Sequence, residues 1–193
     1  MAACLLKAWG ATPAVTAVEI DAAARSVRQS ENTTITGLSV GKTVSWTQKD
    51  KALPMPVYTR DRGIALALAS SDFTETLNQQ TLKVTGLSGR SYKLRISGTD
   101  MGSFISSQLA AGVNLTELPT PMVKQAAAVH ELTQKRSNIH NTRWRQVQVP
   151  LSDDNLPRAA SVIDSLDALG ADLAARQRAA AQPAACYYEL IPE

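Results

Sequence analysis

The sequence is poor in the residues that define several special classes of protein. Its 193 residues include two cysteines and two histidines, and 5% of them are aromatic. Because Cys4 and Cys186 lie at opposite ends of the chain, they form no disulfide framework, and two free or buried thiols are the simpler interpretation. No cysteines and histidines stand at the spacing of a zinc site, so the sequence predicts no metal and no other cofactor.

Long apolar runs are also absent. No stretch of 18 consecutive apolar residues occurs, which argues against a transmembrane helix and a membrane partner. The opening residues are apolar, but Lys7 interrupts them and no basic segment precedes them, so they do not match a signal peptide. The sequence therefore leaves the localisation open.

The composition that remains is typical of a globular domain. Hydrophobic residues make up 44% of the chain and charged residues 19%, and the formal net charge is +3. With so few aromatic residues, the core must consist mainly of Ala, Val, Leu and Ile. A charge of +3 is too small an excess to predict a nucleic-acid partner.

The first residues predict a short helix. Residues 2–9 read AACLLKAW, and Gly10 and Pro13 follow them as helix-ending residues. A helix of this length is not stable on its own. We therefore interpret residues 1–12 as the remnant of a helix that belongs to a preceding domain.

From residue 14 to about 104, apolar and polar or small residues alternate with the period of half-buried strands. The alternating positions are Val18 and Ile20, then Leu38, Val40, Val44 and Trp46, then Ile64, Leu66 and Leu68, then Leu82 and Val84, and finally Tyr92, Leu94 and Ile96. The segments 88–89 and 98–100 have the residues of hairpin connections. We therefore predict a small antiparallel β-sandwich over residues 13–112.

Further along, the apolar period changes to that of helices. Thr120 is a good N-cap and Pro121 fits the first helical position, which predicts a helix to about residue 137 that could continue to Arg145. Residues 147–151 look extended. A second helix is predicted from near Leu156 to about Ala181, and the following six residues are expected to form its buried face: Ala159, Val162, Ile163, Leu166, Leu169 and Leu173.

The predicted fold class is thus α+β, with a short N-terminal helix, a small antiparallel β-sandwich and two long helices. The two helices lie in a helical segment, residues 113–193, which we expect to pack on the sandwich.

One short motif suggests a nucleophile. Residues 37–41 match the G-x-S-x-G pattern of a nucleophile elbow, with Ser39 as the candidate serine. An elbow requires a strand, a sharp turn and a helix, whereas alternating residues here continue on both sides of the turn. The sequence therefore favours a serine in a strand-to-strand turn over a catalytic one.

A cationic segment is the best candidate for a binding site. Residues 119–145 contain five Lys and Arg residues against Glu131 alone. On a continuous helix, Arg136, His140 and Arg143 would share one face. We expect four side chains near its end to contact a partner or ligand: Asn138, His140, Arg143 and Arg145. The alternative is a solvated face with cations near a helix C-terminus, where they are favourable.

Three stretches together resemble a known family. They are residues 82–97 (LKVTGLSGRSYKLRIS), 112–122 (GVNLTELPTPM) and 125–149 (QAAAVHELTQKRSNIHNTRWRQVQV). They resemble the region that follows the catalytic core in bacterial SGNH/GDSL-type hydrolases. The opening MAACLLKAWGA and the closing YYELIP are similar to further parts of that region, so the resemblance covers nearly the whole chain. It implies the C-terminal part of such an enzyme, whose members are often exported.

The catalytic blocks of that family are missing from this sequence. No Gly-Asp-Ser occurs, and the string Gly112-Val113-Asn114 continues with Leu115 where the family has aspartate. Neither histidine follows an aspartate by three positions, since residue 127 is alanine and residue 137 is serine. No catalytic residue can therefore be transferred to this chain.

The resemblance implies a non-catalytic accessory module that completes, or docks on, a separate catalytic domain, or that associates with itself. A second hypothesis is a β-sandwich that binds a carbohydrate or another ligand, which would need exposed aromatic residues on one sheet face. The aromatic residues available in the β region are Trp46, Tyr58, Phe73, Tyr92 and Phe104. A third hypothesis is an esterase that uses Ser39 with a histidine.

Overall fold

The computed structural model describes residues 2–57, 61–152 and 156–193. Within these ranges the chain is α+β, with a four-stranded sheet, a five-stranded sheet and six α-helices. It divides into two compact units, one formed by residues 1–124 and 183–193 and the other by residues 125–182. No helix in the described ranges is long and apolar enough to cross a bilayer.

The first unit contains both sheets. The strands are β1 (Ala14–Asp21), β2 (Ser26–Glu31), β3 (Thr33–Val40), β4 (Val44–Asp50), β5 (Gln79–Thr85), β6 (Ser91–Ile96), β7 (Thr99–Ile105), β8 (Val113–Asn114) and β9 (Ala185–Pro192). The smaller sheet has the order β2-β1-β5-β8, and the larger has the order β3-β4-β9-β6-β7. Short helices join or precede these strands: α1 (Ala2–Ala8), α2 (Arg62–Ala69), α3 (Phe73–Leu77) and α4 (Ser106–Ala111).

The sequence had led us to expect antiparallel strands throughout, but one pair is parallel. β1 and β5 are parallel, with Val18 opposite Leu82 and Ile20 opposite Val84. The remaining pairs of strands in the two sheets are antiparallel. A parallel neighbour requires a long connection, and here residues 22–78 supply it; they include β2 and two strands of the other sheet, β3 and β4.

One core draws side chains from both sheets. The predicted alternation is confirmed where the strands are most regular: Val18 and Ile20 in β1, Leu82 and Val84 in β5, and Tyr92, Leu94 and Ile96 in β6 are all buried. Trp46 of β4 stacks on Tyr188 of β9, with ring centroids 5.1 Å apart. These two rings are the largest of the fully buried side chains.

A chain of buried hydrogen bonds also links the sheets. The indole N–H of Trp46 donates to Oε1 of Gln48, and Nε2 of Gln48 donates to Oδ1 of Asp50 at 2.8 Å. From the other sheet, Nε2 of Gln80 donates to Oδ2 of Asp50, also at 2.8 Å. The carboxylate of Asp50 therefore accepts one amide from each sheet and ties β4 to β5.

Two predicted features of the β region are wrong. Ile64, Leu66 and Leu68 form helix α2, whose N-terminal N–H groups are capped by the side chain of Asp61. The alanines between them are apolar as well and favour a helix, so an apolar period of two did not define a strand here. The segment 88–89 is not a hairpin turn, because β5 and β6 belong to different sheets.

The other predicted turn, at residues 98–100, is a hairpin between β6 and β7, but its two turn residues are 97 and 98, and Thr99 and Asp100 already belong to β7. Ser97 and Gly98 both have positive φ angles, 48° and 80°. Two consecutive positive φ values are typical of the turn that matches the twist of antiparallel strands.

The segment 113–193 is not wholly helical. Ala185–Pro192 forms β9, which lies between β4 and β6 in the larger sheet. Its buried side chains are Cys186, Tyr188 and Leu190. The last residues of the chain therefore complete the core of the first unit.

The second unit is a pair of helices, which we call the helical hairpin (residues 125–182). It contains most of α5 (Pro121–Asn141), a π-helical segment (Thr142–Gln148) and α6 (Pro157–Ala180). Hydrogen bonds from Gln125 to the carbonyl of Ala180 and from Gln177 to Thr133 show that α5 and α6 run antiparallel. Thr120 caps α5 as predicted, since its hydroxyl oxygen accepts the N–H of Val123. The expected extended residues after the first helix are instead helical to Gln148.

The predicted stripe of α6 is less buried than expected. Val162 and Leu169 are 46% and 45% exposed, and the other four predicted positions are partly buried. Ala174 is the buried residue of this helix. The apolar seam of the hairpin is therefore open to solvent over much of its length.

The two thiols are both free and differ in accessibility, since Cys4 is exposed and Cys186 is buried. Burial raises the pKa of the Cys186 thiol, which further lowers its reactivity.

We expect Ellman's reagent to modify one thiol per chain quickly and the second only on unfolding. In the Cys4→Ser variant the fast phase should disappear; a fast phase that persists would show that Cys186 is accessible.

Candidate functional site

The helical hairpin has a small pocket that brings two of the cationic side chains together with a histidine. It has a volume of about 220 Å³, and its lining includes Arg136 and His140 of α5, Arg143 of the π-helical segment, and Asp167 and Gly170 of α6. The spacing of the first three residues follows one face of a helix, as the sequence indicated. The pocket therefore contains two of the predicted contact residues, His140 and Arg143.

Arg143 is held in place from two sides. Its Nε donates to Oδ1 of Asp167 at 2.5 Å, and its Nη1 donates to Oε1 of Gln148. The hydrogen bond to Asp167 raises the pKa of the guanidinium above its ordinary value. Within the described ranges, Arg136 and His140 make no comparable hydrogen bond or ion pair, and they face the pocket as open donors.

Arg143 lies in the π-helical segment. Seven residues, 142–148, follow this wider winding, and such segments occur often at functional sites. From this segment Arg143 pairs with Asp167 of α6.

The remaining wall of the pocket is apolar. Ile139, Leu166, Ala171 and Ala174 line it beside the charged groups. Gly170 leaves room where another residue would place a side chain, because a Cβ added there meets no atom within 4 Å. Together with the charged groups, these apolar side chains give the pocket an amphipathic lining.

Gly170 offers a direct stability prediction. It lies in the interior of α6 in a helical conformation, with open space at its Cβ position. Because glycine costs about 0.5–1 kcal/mol relative to alanine in a helix, Gly170→Ala should stabilise the hairpin by roughly that amount. Amide hydrogen exchange of α6 measures this directly. Faster exchange in the variant would mean that the pocket needs the glycine for packing.

The other two predicted contact residues lie outside this pocket. Asn138 is exposed on α5. Arg145 is also exposed, and its guanidinium lies 4.7 Å from the centre of the Trp144 ring, a cation–π arrangement. Trp144 is itself 46% exposed, so it does not anchor the segment in a core.

A second, larger cavity lies near the turn of the hairpin. It has a volume of about 690 Å³, and its walls are mainly apolar, with Val147, Leu151, Leu156 and Val162 among the lining residues. Arg158 is the charged residue of this lining. The cavity extends the open apolar seam of α6.

Ser39 does not sit in a nucleophile elbow. It lies within β3, paired with Ser45 of β4, and the chain turns from strand to strand. Gly37 has a φ of 64° at an irregularity in this pairing, which accounts for the first glycine of the motif. In the described part of the chain there is also no group of three or more His, Cys, Asp or Glu side chains arranged for a metal ion.

The aromatic residues proposed for a ligand-binding sheet face are largely unavailable. Trp46 and Tyr92 are buried, and Phe73 and Phe104 are partly buried. Tyr58 lies outside the described residues. Tyr187 of β9, which the sequence analysis did not single out, is 46% exposed.

Sequence reasoning missed Asp167 and Gly170. Both belong to α6, and only the register between the two helices brings them to the cationic face of α5. The sole sequence signal was the glycine itself, which interrupts an otherwise helix-favouring segment.

The fold is similar to that of a known enzyme. A gut microbial diltiazem-metabolizing enzyme matches 98% of this chain with a TM-score of 0.81 and 24% sequence identity. The match covers 52% of that enzyme, so this chain spans about half of its length. No family model matches the chain, and the curated proteins contain no significant match. At this identity the likeness shows a shared fold and carries no residue role across.

Proposed function

We propose that this chain is a non-catalytic module of an SGNH-like hydrolase, which completes or docks on a separate catalytic domain. Its architecture in this proposal is a β-sandwich followed by two long helices, with the last strand returning to the sandwich. The sequence resemblance supports the family, and the absence of its catalytic blocks from this sequence supports the accessory role.

The observation that carries the proposal is an exposed apolar surface on helix α2. This helix has the sequence RGIALALA, and none of its residues is buried. Leu66, in the middle of its apolar run, is 69% exposed. A contiguous exposed apolar patch of this kind marks an interaction surface in a folded protein.

The size of the structural neighbour favours a catalytic domain as the occupant of that surface. The neighbour is an enzyme, and about half of its length has no counterpart in this chain. A second copy of this chain is the other candidate occupant, and sedimentation of the isolated chain distinguishes the two.

The absence of catalysis by the isolated chain is directly testable. We expect no labelling by a fluorophosphonate probe and no hydrolysis of p-nitrophenyl acetate above the rate without protein. Ser39→Ala is the matched control, because an exposed strand residue tolerates this change. Labelling or turnover that is present in the wild type and lost in Ser39→Ala would favour an esterase instead.

A further inference from the structure

We propose that the pocket of the helical hairpin binds a small organic carboxylate with a compact apolar body. The pocket combines two open donors, Arg136 and His140, with the oriented guanidinium of Arg143 and an apolar wall. This inference does not depend on the accessory role, because the pocket is formed wholly by residues 136–174 of the hairpin.

The charged groups that line the pocket select an anion. Two arginines and His140 line it together with one carboxylate, and the carboxylate of Asp167 already accepts from Nε of Arg143. Nη1 of the same guanidinium is used by Gln148, which leaves Nη2 without a partner among the described residues. Charge-assisted hydrogen bonds from such donors to a carboxylate are stronger than those to a neutral acceptor.

The apolar wall and the volume select the rest of the ligand. A cavity of about 150 Å³ can bind benzene, so the volume of about 220 Å³ here is enough for a small ring or a short aliphatic chain. Ile139 and Leu166 would contact that body. Inorganic phosphate has no apolar body, so the apolar wall of the pocket would stay exposed to water when phosphate binds. We therefore expect phosphate to bind more weakly than an organic carboxylate.

The opening at Gly170 gives the most specific test. A leucine at this position has space for its Cβ and would direct its side chain into the pocket. Gly170→Leu should therefore keep the helix and remove the binding volume. Ala168→Leu is the matched control, since Ala168 is an exposed residue of the same helix outside the pocket lining.

The experiment is an NMR titration of the full chain with benzoate, with benzamide and inorganic phosphate as comparison ligands. We expect saturable shifts at residues 136–143 and 166–174, with a Kd in the millimolar range and at least tenfold weaker binding of both comparison ligands. Arg136→Gln and His140→Gln should each weaken benzoate binding about fivefold or more, whereas Arg176→Gln, an exposed change outside the pocket, should not.

Gly170→Leu should abolish these shifts while Ala168→Leu retains them, with circular dichroism confirming the helix content of both. If Gly170→Leu loses helix content, the test of the binding site rests on the benzoate affinity of the Arg136→Gln and His140→Gln variants. Absence of saturation at 50 mM benzoate would overturn the proposal. So would phosphate binding as tight as benzoate binding, or benzoate binding unchanged in both the Arg136 and His140 variants.

Discussion

Replacement of Asp50 by alanine should lower the free energy of unfolding by roughly 2–5 kcal/mol. The carboxylate is buried and accepts amide N–H groups from Gln48 and Gln80, which belong to different sheets. Its removal leaves two buried donors unsatisfied, each at a cost of about 1–3 kcal/mol. Urea denaturation of the full chain measures the loss.

Asp50→Asn is the informative partner variant. Its oxygen can still accept from Gln48, and its new N–H₂ group meets Gln80, whose Oε1 is buried without a partner among the described residues. If the Gln80 amide turns over, Oε1 accepts from the asparagine, so we expect Asp50→Asn to cost much less than Asp50→Ala. Asp100→Ala removes an exposed carboxylate paired with Arg95; it is the control and should change stability far less than Asp50→Ala. Equal stability of Asp50→Ala and Asp100→Ala would contradict the role assigned to the buried chain.

Trp46→Ala should destabilise the first unit by about 3–5 kcal/mol. Trp46 is fully buried, stacks on Tyr188 and donates its indole N–H to Gln48, so the substitution creates a cavity and removes a hydrogen bond. Trp9→Ala is the matched control, because Trp9 is 76% exposed. Thermal denaturation followed by near-ultraviolet circular dichroism measures both variants. A loss below about 1 kcal/mol for Trp46→Ala would mean that the stacked pair is not part of the core.

The strands that sequence reasoning located correctly have strict local alternation. In β5 and β6 each buried apolar residue is flanked by Lys, Arg, Ser or Thr, so the period of two is unambiguous. Helix α2 was missed because alanines fill the intervening positions, and an Ala/Leu segment satisfies a period of two and a helix equally. The capping side chain of Asp61 was the overlooked helix signal.

The features that could not be predicted depend on pairing between distant segments. The parallel partners β1 and β5 are joined through residues 22–78. The local sequence pattern does not show which strand pairs with β1. The hydrogen bond between Gln80 and Asp50 likewise depends on how the two sheets meet.

In the candidate site, the shared face of Arg136, His140 and Arg143 was visible as helical spacing on one element.

The helix-to-helix register supplied the rest of the site. Asp167 fixes Arg143, and Gly170 opens the pocket, yet both lie on the second helix of the hairpin. The predicted buried stripe of that helix failed for a related reason. Amphipathic spacing predicts which residues share a face, but only the three-dimensional contacts show whether anything covers that face.

The most direct test of the proposed accessory role is an association measurement with a defined catalytic domain. A domain that carries Gly-Asp-Ser and Asp-x-x-His blocks, encoded in the same genome, is produced separately and mixed with this chain in sedimentation velocity. Our account predicts a one-to-one complex that Leu66→Lys abolishes and that Val27→Lys, an exposed change on β2, leaves intact. Separate sedimentation of the two proteins, or a complex that is equally tight with Leu66→Lys, would contradict it.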